Sequence, residues 1–207
     1  MPAVDHVVWP VVVTAEPDGL SAEVAKGALW VKLMVERDGQ VSAVDAGYLS
    51  QHQISFEELR VQAVDNLREL AREDEWQSVD TVPGMHLLLP SDTLASSRLL
   101  ATDSLVGSWP LGGIVAACPS PDQLLCVPLH TVEDLEAVRI MATAVHYAHA
   151  HASEPLSDQV FWNDGTKWHH IQVRHGLSEV EIVPGAEFLE TVNRLASVGM
   201  YAVAGEA

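Results

Sequence analysis

The sequence predicts an α+β protein: a mainly antiparallel sheet, or sheets, built from hairpins and packed against about four helices. Three observations predict it. Turn signals recur between β-prone runs, at Asp38-Gly39, Ser120-Pro121-Asp122 and Asn163-Asp164-Gly165, where glycine and Asx residues supply the backbone conformations of tight turns. Longer segments carry apolar residues at helical spacing instead. Strands come mostly in pairs or triplets rather than singly between helices, which favours antiparallel ladders over a doubly wound parallel sheet.

Taken in order, residues 4–15 are β-rich, and Pro10 inside the run predicts an edge strand or an irregular arm. Residues 28–36 and 41–46 flank Arg37-Asp38-Gly39-Gln40 as a hairpin. A helix over 56–73 follows, with Phe56, Leu59, Ala63, Leu67 and Leu70 on one face. Ser55 and Glu58 form an S-x-x-E capping box that satisfies first-turn N–H groups. The like-charge cluster Glu73-Asp74-Glu75 ends it. A strand ends at 85–89, and a short helix is expected over 91–105 with Ser91 or Asp92 near its cap. Trp109-Pro110-Leu111-Gly112-Gly113 is a loop, and 114–118 with 124–129 form a second hairpin. Thr131 and Asp134 resemble a cap for a helix over 132–149, with Leu135, Val138, Ala142 and Val145 as its main stripe and Ile140, Met141 and Ala148 widening it. Strands at 159–162, 167–174 and 179–183 precede a last helix over 186–198 bearing Phe188, Leu189, Val192 and Leu195. The chain reads as one domain over 1–207, with a division into two subdomains near 80–90 left open.

Over roughly 25–195 the chain resembles the YtpQ-like proteins, a bacterial family of unknown function. The resemblance is carried by the segments LWVKLMVERDGQVSAVDAGYLSQHQISFEELRVQAVDNLREL, ASSRLL, GIVAACPSPDQLLCVPL and PLSDQVFWNDGTKW. Its most specific part is A-x-x-N-L at Ala63, Asn66 and Leu67. The turn Ser120-Pro121-Asp122 departs from the family pattern, where a polar, often arginine-containing turn is expected. The resemblance implies a fold and brings no activity, cofactor or catalytic residue.

Composition excludes several classes. At 48% hydrophobic and 19% charged residues the chain can bury a core and is not a disordered one. No run approaches the ~18 apolar residues that span a bilayer. The apolar stretch 7–13 is short, broken by Pro10 and preceded by no Lys or Arg, so it fails as a signal peptide. A cytoplasmic bacterial-type protein is the expectation. Net charge is −18, with 11 basic against 29 acidic residues. Such a surface repels phosphate backbones and disfavours nucleic acid. It suits solubility, or a basic protein partner of the kind that toxin antidotes neutralise.

The candidate site residues are few. Trp162 and Trp168 flank Asn163-Asp164-Gly165, so a hairpin would bring them close, with a shared face left open. With Asp164 and Tyr147 they form a candidate binding surface, tryptophans beside a turn being common partner anchors; the alternative is that they cover the core. His146 and His149, three apart at the end of the long helix, are weak metal candidates that lack a HExxH or Glu-x-x-His pattern. His169 and His170 point to opposite sheet faces, so at most one joins any site. Cys118 and Cys126 can face each other across the second hairpin, but two cysteines in a reducing compartment read as buried hydrophobes. No nucleophile elbow, Walker or dinucleotide motif is present.

These readings converge on a non-enzymatic protein that binds another protein, an immunity or inhibitor role being one version, with no cofactor. Two alternatives stand beside it: a small metal-assisted hydrolase using His146 and His149, and a structural or assembly subunit without a ligand. Oligomeric state and partner identity are not encoded in any motif.

Overall fold

Alternation of buried and part-exposed residues lays down the first strands of the structure, a computed structural model that describes residues 6–37, 39–72, 74–105, 108–176 and 180–204. β1 (Val7–Val13), β2 (Ser21–Ala25), β3 (Leu29–Arg37) and β4 (Gln40–Ala43) form an antiparallel group. β1 covers one edge of β3, from Val7 opposite Glu36 to Val13 opposite Trp30. β2 and β4 lie end to end along the other edge. The β3–β4 turn closes Arg37 on Gln40, with Gly39 at φ 75°; Asp38, like Glu73 and residues 4, 5 and 179 of the expected elements, lies outside the described residues.

The strand expected over 41–46 stops at Ala43, because Asp45 caps a helix instead. Its Oδ1 accepts from Tyr48 N at 2.7 Å and opens α1 (Ala46–His52). α2 (Phe56–Ala71) carries the capping box as expected: Ser55 Oγ accepts from Glu58 N, and Glu58 accepts from Ser55 N. Leu59, Ala63, Val64, Leu67 and Ala71 are its buried face, and the helix lies against β1.

β5 (Gln77–Ser78) and β6 (His86–Leu88) are short. The helix expected over 91–105 is instead a 3₁₀ helix (Ser96–Ala101) running into α3 (Thr102–Leu105). Asp92 does not cap it; its Oδ1 accepts from Leu94 N and its carboxylate turns to Arg98. β7 (Ile114–Ser120) and β8 (Gln123–Pro128) form the second hairpin. α4 (Asp134–His151) follows, without a side-chain cap: Asp134 Oδ2 accepts from the N–H groups of His130 and Thr131, before the helix. Its buried stripe is Ala137, Val138, Met141, Ala142 and Val145, with Leu135 at the margin. β9 (Val160–Asn163), β10 (Trp168–His175), β11 (Val180–Val183) and α5 (Ala186–Ala204) complete the chain. On α5, Phe188 and Leu195 are buried, but Leu189 is exposed.

The strands join in one large curled sheet, ordered β1-β3-β2-β10-β9-β7-β8-β6-β5, with β4 beside β3 and β11 beside β10. It is antiparallel apart from the single β2–β10 contact, Ala25 opposite Trp168. The α+β class and the mainly antiparallel sheet are therefore as the sequence predicts. Every residue of β7 is buried, since both faces of the sheet are covered there. On one face Val115, Ala117, Val127, Trp162 and Ile171 meet α4 and α5. On the other, Ala116, Cys118, Leu124, Phe161 and Trp168 meet Ala95 and Leu99. Val12 of β1 joins that second cluster, so the curl brings the first strand of the order round towards β8, with the 3₁₀ helix between them. A third cluster, Val8, Leu33, Val35, Val44, Leu59 and Ala63, lies under α2.

Candidate functional site

Register decides where the tryptophans go. The β9–β10 hairpin pairs Asn163 with Trp168 and Trp162 with His169. Directly opposed residues share a face and adjacent ones do not. Trp162 and Trp168 therefore point to opposite faces, and both are buried, at 3% and 8% exposure. Of the two readings the sequence left open, a binding surface on one face and a cover for the core, the tryptophans follow the second. Trp162 instead stacks on His169 (4.8 Å) and meets Phe188 edge-on (5.2 Å). Its Nε1 donates to Gly112 O at 2.8 Å, so the indole ties the loop before β7 to the sheet. Trp168 packs in the second cluster.

Asp164 organises the turn between them. Its Oδ1 accepts from Thr166 N, Thr166 Oγ1 and Lys167 N at 2.6 to 3.0 Å, and its Oδ2 lies 2.9 Å from His169 Nε2. Burial pushes the carboxyl up, but the hydrogen bonds from Thr166, His169 and Lys167 outweigh it and hold the group well below the usual carboxylate range. The hydroxyl in contact with this Asp–His pair, that of Thr166, binds the carboxylate rather than the imidazole, so the group reads as a turn clamp. Tyr147 lies on the outer side of α4, 67% exposed and stacked on His151. It does not join the tryptophans. The exposed tryptophan is Trp109, at 38%, on the loop that Trp162 anchors.

His146 Nδ1 lies 3.8 Å from Asp158 Oδ2, and His149 is partly buried one turn on. Among the described residues no group of three or more His, Cys, Asp or Glu side chains converges as a metal site. The cysteines are both free and buried. Cys126 opposes Ala116, not Cys118, and burial pushes both thiols up to about 12, which leaves no thiolate for nucleophilic chemistry at neutral pH.

A different constellation is the most built feature of the molecule. Arg98, at 1% side-chain exposure, is held by two carboxylates. Its Nε and Nη2 donate to Asp74; its Nη1 and Nη2 donate to Asp92 at 2.9 Å. Burial works against the guanidinium charge, and the hydrogen bonds to Asp92 and Asp74 outweigh it, so the group stays above its ordinary pKa. Burial likewise raises Asp92, and Arg98 with the Leu94 N–H brings it down further. The three residues come from the segment after α2, the loop after β6 and the 3₁₀ helix. They line an open cleft of about 380 Å³ together with Leu70, Glu75, Gln77, Leu88, Leu89, Pro90 and Ser91. Three carboxylates face one guanidinium there, so the cleft attracts cations. The signal available in the sequence was an arginine inside the apolar run Leu94–Ala101, a charge that burial tolerates only with partners.

Comparison with protein-family models, with curated proteins and with solved structures finds no match.

Proposed function

We propose that this protein acts by binding a basic protein partner and not by catalysis, an inhibitor of a basic protein being the specific version. The observation that supports it is how the few cations are used. Arg60, Arg68, Arg72, Arg98, Arg139 and Arg174 each pair with a carboxylate of the same chain. Six of the 11 basic residues are thus engaged within the chain, which carries a net charge of −18. A field of that sign speeds encounter with cationic proteins. The Arg98 cleft, largely polar and with Glu75 in its lining beyond the two carboxylates that hold Arg98, suits the charged head of a lysine or arginine side chain. The kinship to YtpQ-like proteins is part of this proposal and adds no activity to it. No described helix is long and apolar enough to cross a membrane, and two free cysteines suit the reducing cytoplasm.

Titration calorimetry with an oligo-arginine peptide tests the proposal. Saturable binding is expected at low salt, weakening at least about tenfold between about 0.05 and 0.3 M salt as screening sets in. Glu75→Gln is expected to weaken it further. No binding at low salt, or affinity indifferent to salt, overturns the proposal.

A further inference from the structure

β1 is the terminal strand of the sheet, yet its outer edge is not bare. Val8 O accepts from Asn66 Nδ2 of α2 at 3.0 Å, and Val12 N donates to Ser97 Oγ of the 3₁₀ helix at 3.3 Å, in a buried position. Backbone groups two residues apart on a strand face the same way, so Pro10 presents its nitrogen to this edge between them, where a missing N–H costs no ladder bond. One side chain from α2 and one from the 3₁₀ helix thus close an edge that would otherwise template pairing with another chain.

The 3₁₀ helix is a weak element to hold such a post. It has six residues and no side-chain cap, and 3₁₀ hydrogen-bond geometry is poor. Three ties seat it. Leu99 and Ala95 sit in the second cluster. Ser96 N donates to Pro121 O at 3.0 Å. Arg98, next to the edge-closing Ser97, is clasped by Asp74 and Asp92. We infer that the Arg98 clasp is a latch: it keeps the 3₁₀ helix seated against β1, and its release opens the outer edge of β1 as a local event while the centre of the sheet stays folded. Three of the residues this element buries, Ser96, Ser97 and Arg98, are polar or charged, so much of its seat rests on hydrogen bonds, and the clasp joins segments that lie 24 and 6 residues from Arg98. The latch stands independently of any partner.

Native-state hydrogen exchange at single amides tests it, comparing Val12 with Val115 at the centre of β7. In the wild type, exchange at Val12 is expected to depend less steeply on denaturant than exchange at Val115, the signature of sub-global opening. Asp92→Asn and Asp74→Asn are each expected to speed exchange at Val12 by about tenfold more than at Val115. Equal denaturant slopes at the two amides overturn the latch, and this measurement needs no variant to fold. Equal acceleration at both amides, or none at Val12, overturns it as well.

Discussion

Asp164 shows how one carboxylate can set both a turn and a pH dependence. Its hydrogen bonds favour the ionised form, so its pKa is depressed on folding. The unfolded chain titrates near about 3.9. Its contribution is therefore fully present above that pH and is lost as pH falls through the lower folded value. Asp164→Ala is expected to cost about 1 to 2 kcal/mol at neutral pH. In urea titrations the gap between variant and wild-type midpoints should begin to narrow below about pH 4 and go on closing as pH falls; a gap that does not narrow in acid would remove the carboxylate from this role. Cys118 and Cys126, with thiols pushed up to about 12, should resist a disulfide reagent until the protein unfolds, which a timed thiol assay in and out of denaturant reads directly. The residues also mark where the sequence was legible. Trp162 and Asp164 were visible as a turn with an aromatic flank, but which face each tryptophan takes depends on turn length. Closing the turn on Asn163 and Trp168 rather than one residue further along reverses the answer. Arg98 carries no periodic signal, and its partners Asp74 and Asp92 become neighbours only through the fold.

Elements with strong local signals were legible, and those defined by distant pairing were not. The α2 capping box could be read from four residues because both halves of it lie in the chain together. Ser55→Ala is expected to cost about 1 kcal/mol, read as a drop in denaturation midpoint with α2 amides exchanging faster; an unchanged midpoint would mean that packing on β1 alone holds the helix. β2 exists through its partners β3 and β10 and has one fully buried residue, Ala25. β5 is two exposed residues beside β6. α1 buries none of its residues fully, so no apolar stripe announced it, although Asp45 was a cap in plain view. The loop before β7 is held as firmly as any strand. Gly113 sits at φ 77°, and a Cβ there would overlap Asn163 O and come within 2.8 Å of Trp162 Nε1. Gly113→Ala is therefore expected to cost about 3 kcal/mol or more, measurable by calorimetry, together with loss of the Trp162 indole bond to Gly112 O in the side-chain NMR spectrum.

At the scale of the whole molecule the charge and the fold oppose each other. A net charge of −18 on 207 residues repels itself most when the chain is compact. The helix-surface pairs Arg60–Glu57, Arg72–Glu69 and Arg139–Glu136 do little against this, since exposed pairs gain little in water and are themselves screened by salt. The two effects have opposite signs with added salt: weakened pairs destabilise, and weakened repulsion stabilises. With so many acids left over, repulsion wins. Raising sodium chloride from about 0.02 to 0.5 M, which shortens the screening length from over 20 Å to about 4 Å, is expected to raise the melting temperature by several degrees. The Arg98–Asp74 pair of the clasp, at 1% and 9% side-chain exposure, lies beyond most of that screening, so the protection of Val12 should change with salt no more than that of Val115. A melting temperature that falls with salt would mean that surface pairs outweigh repulsion, and the excess negative potential would then no longer stand as the force that draws a basic partner.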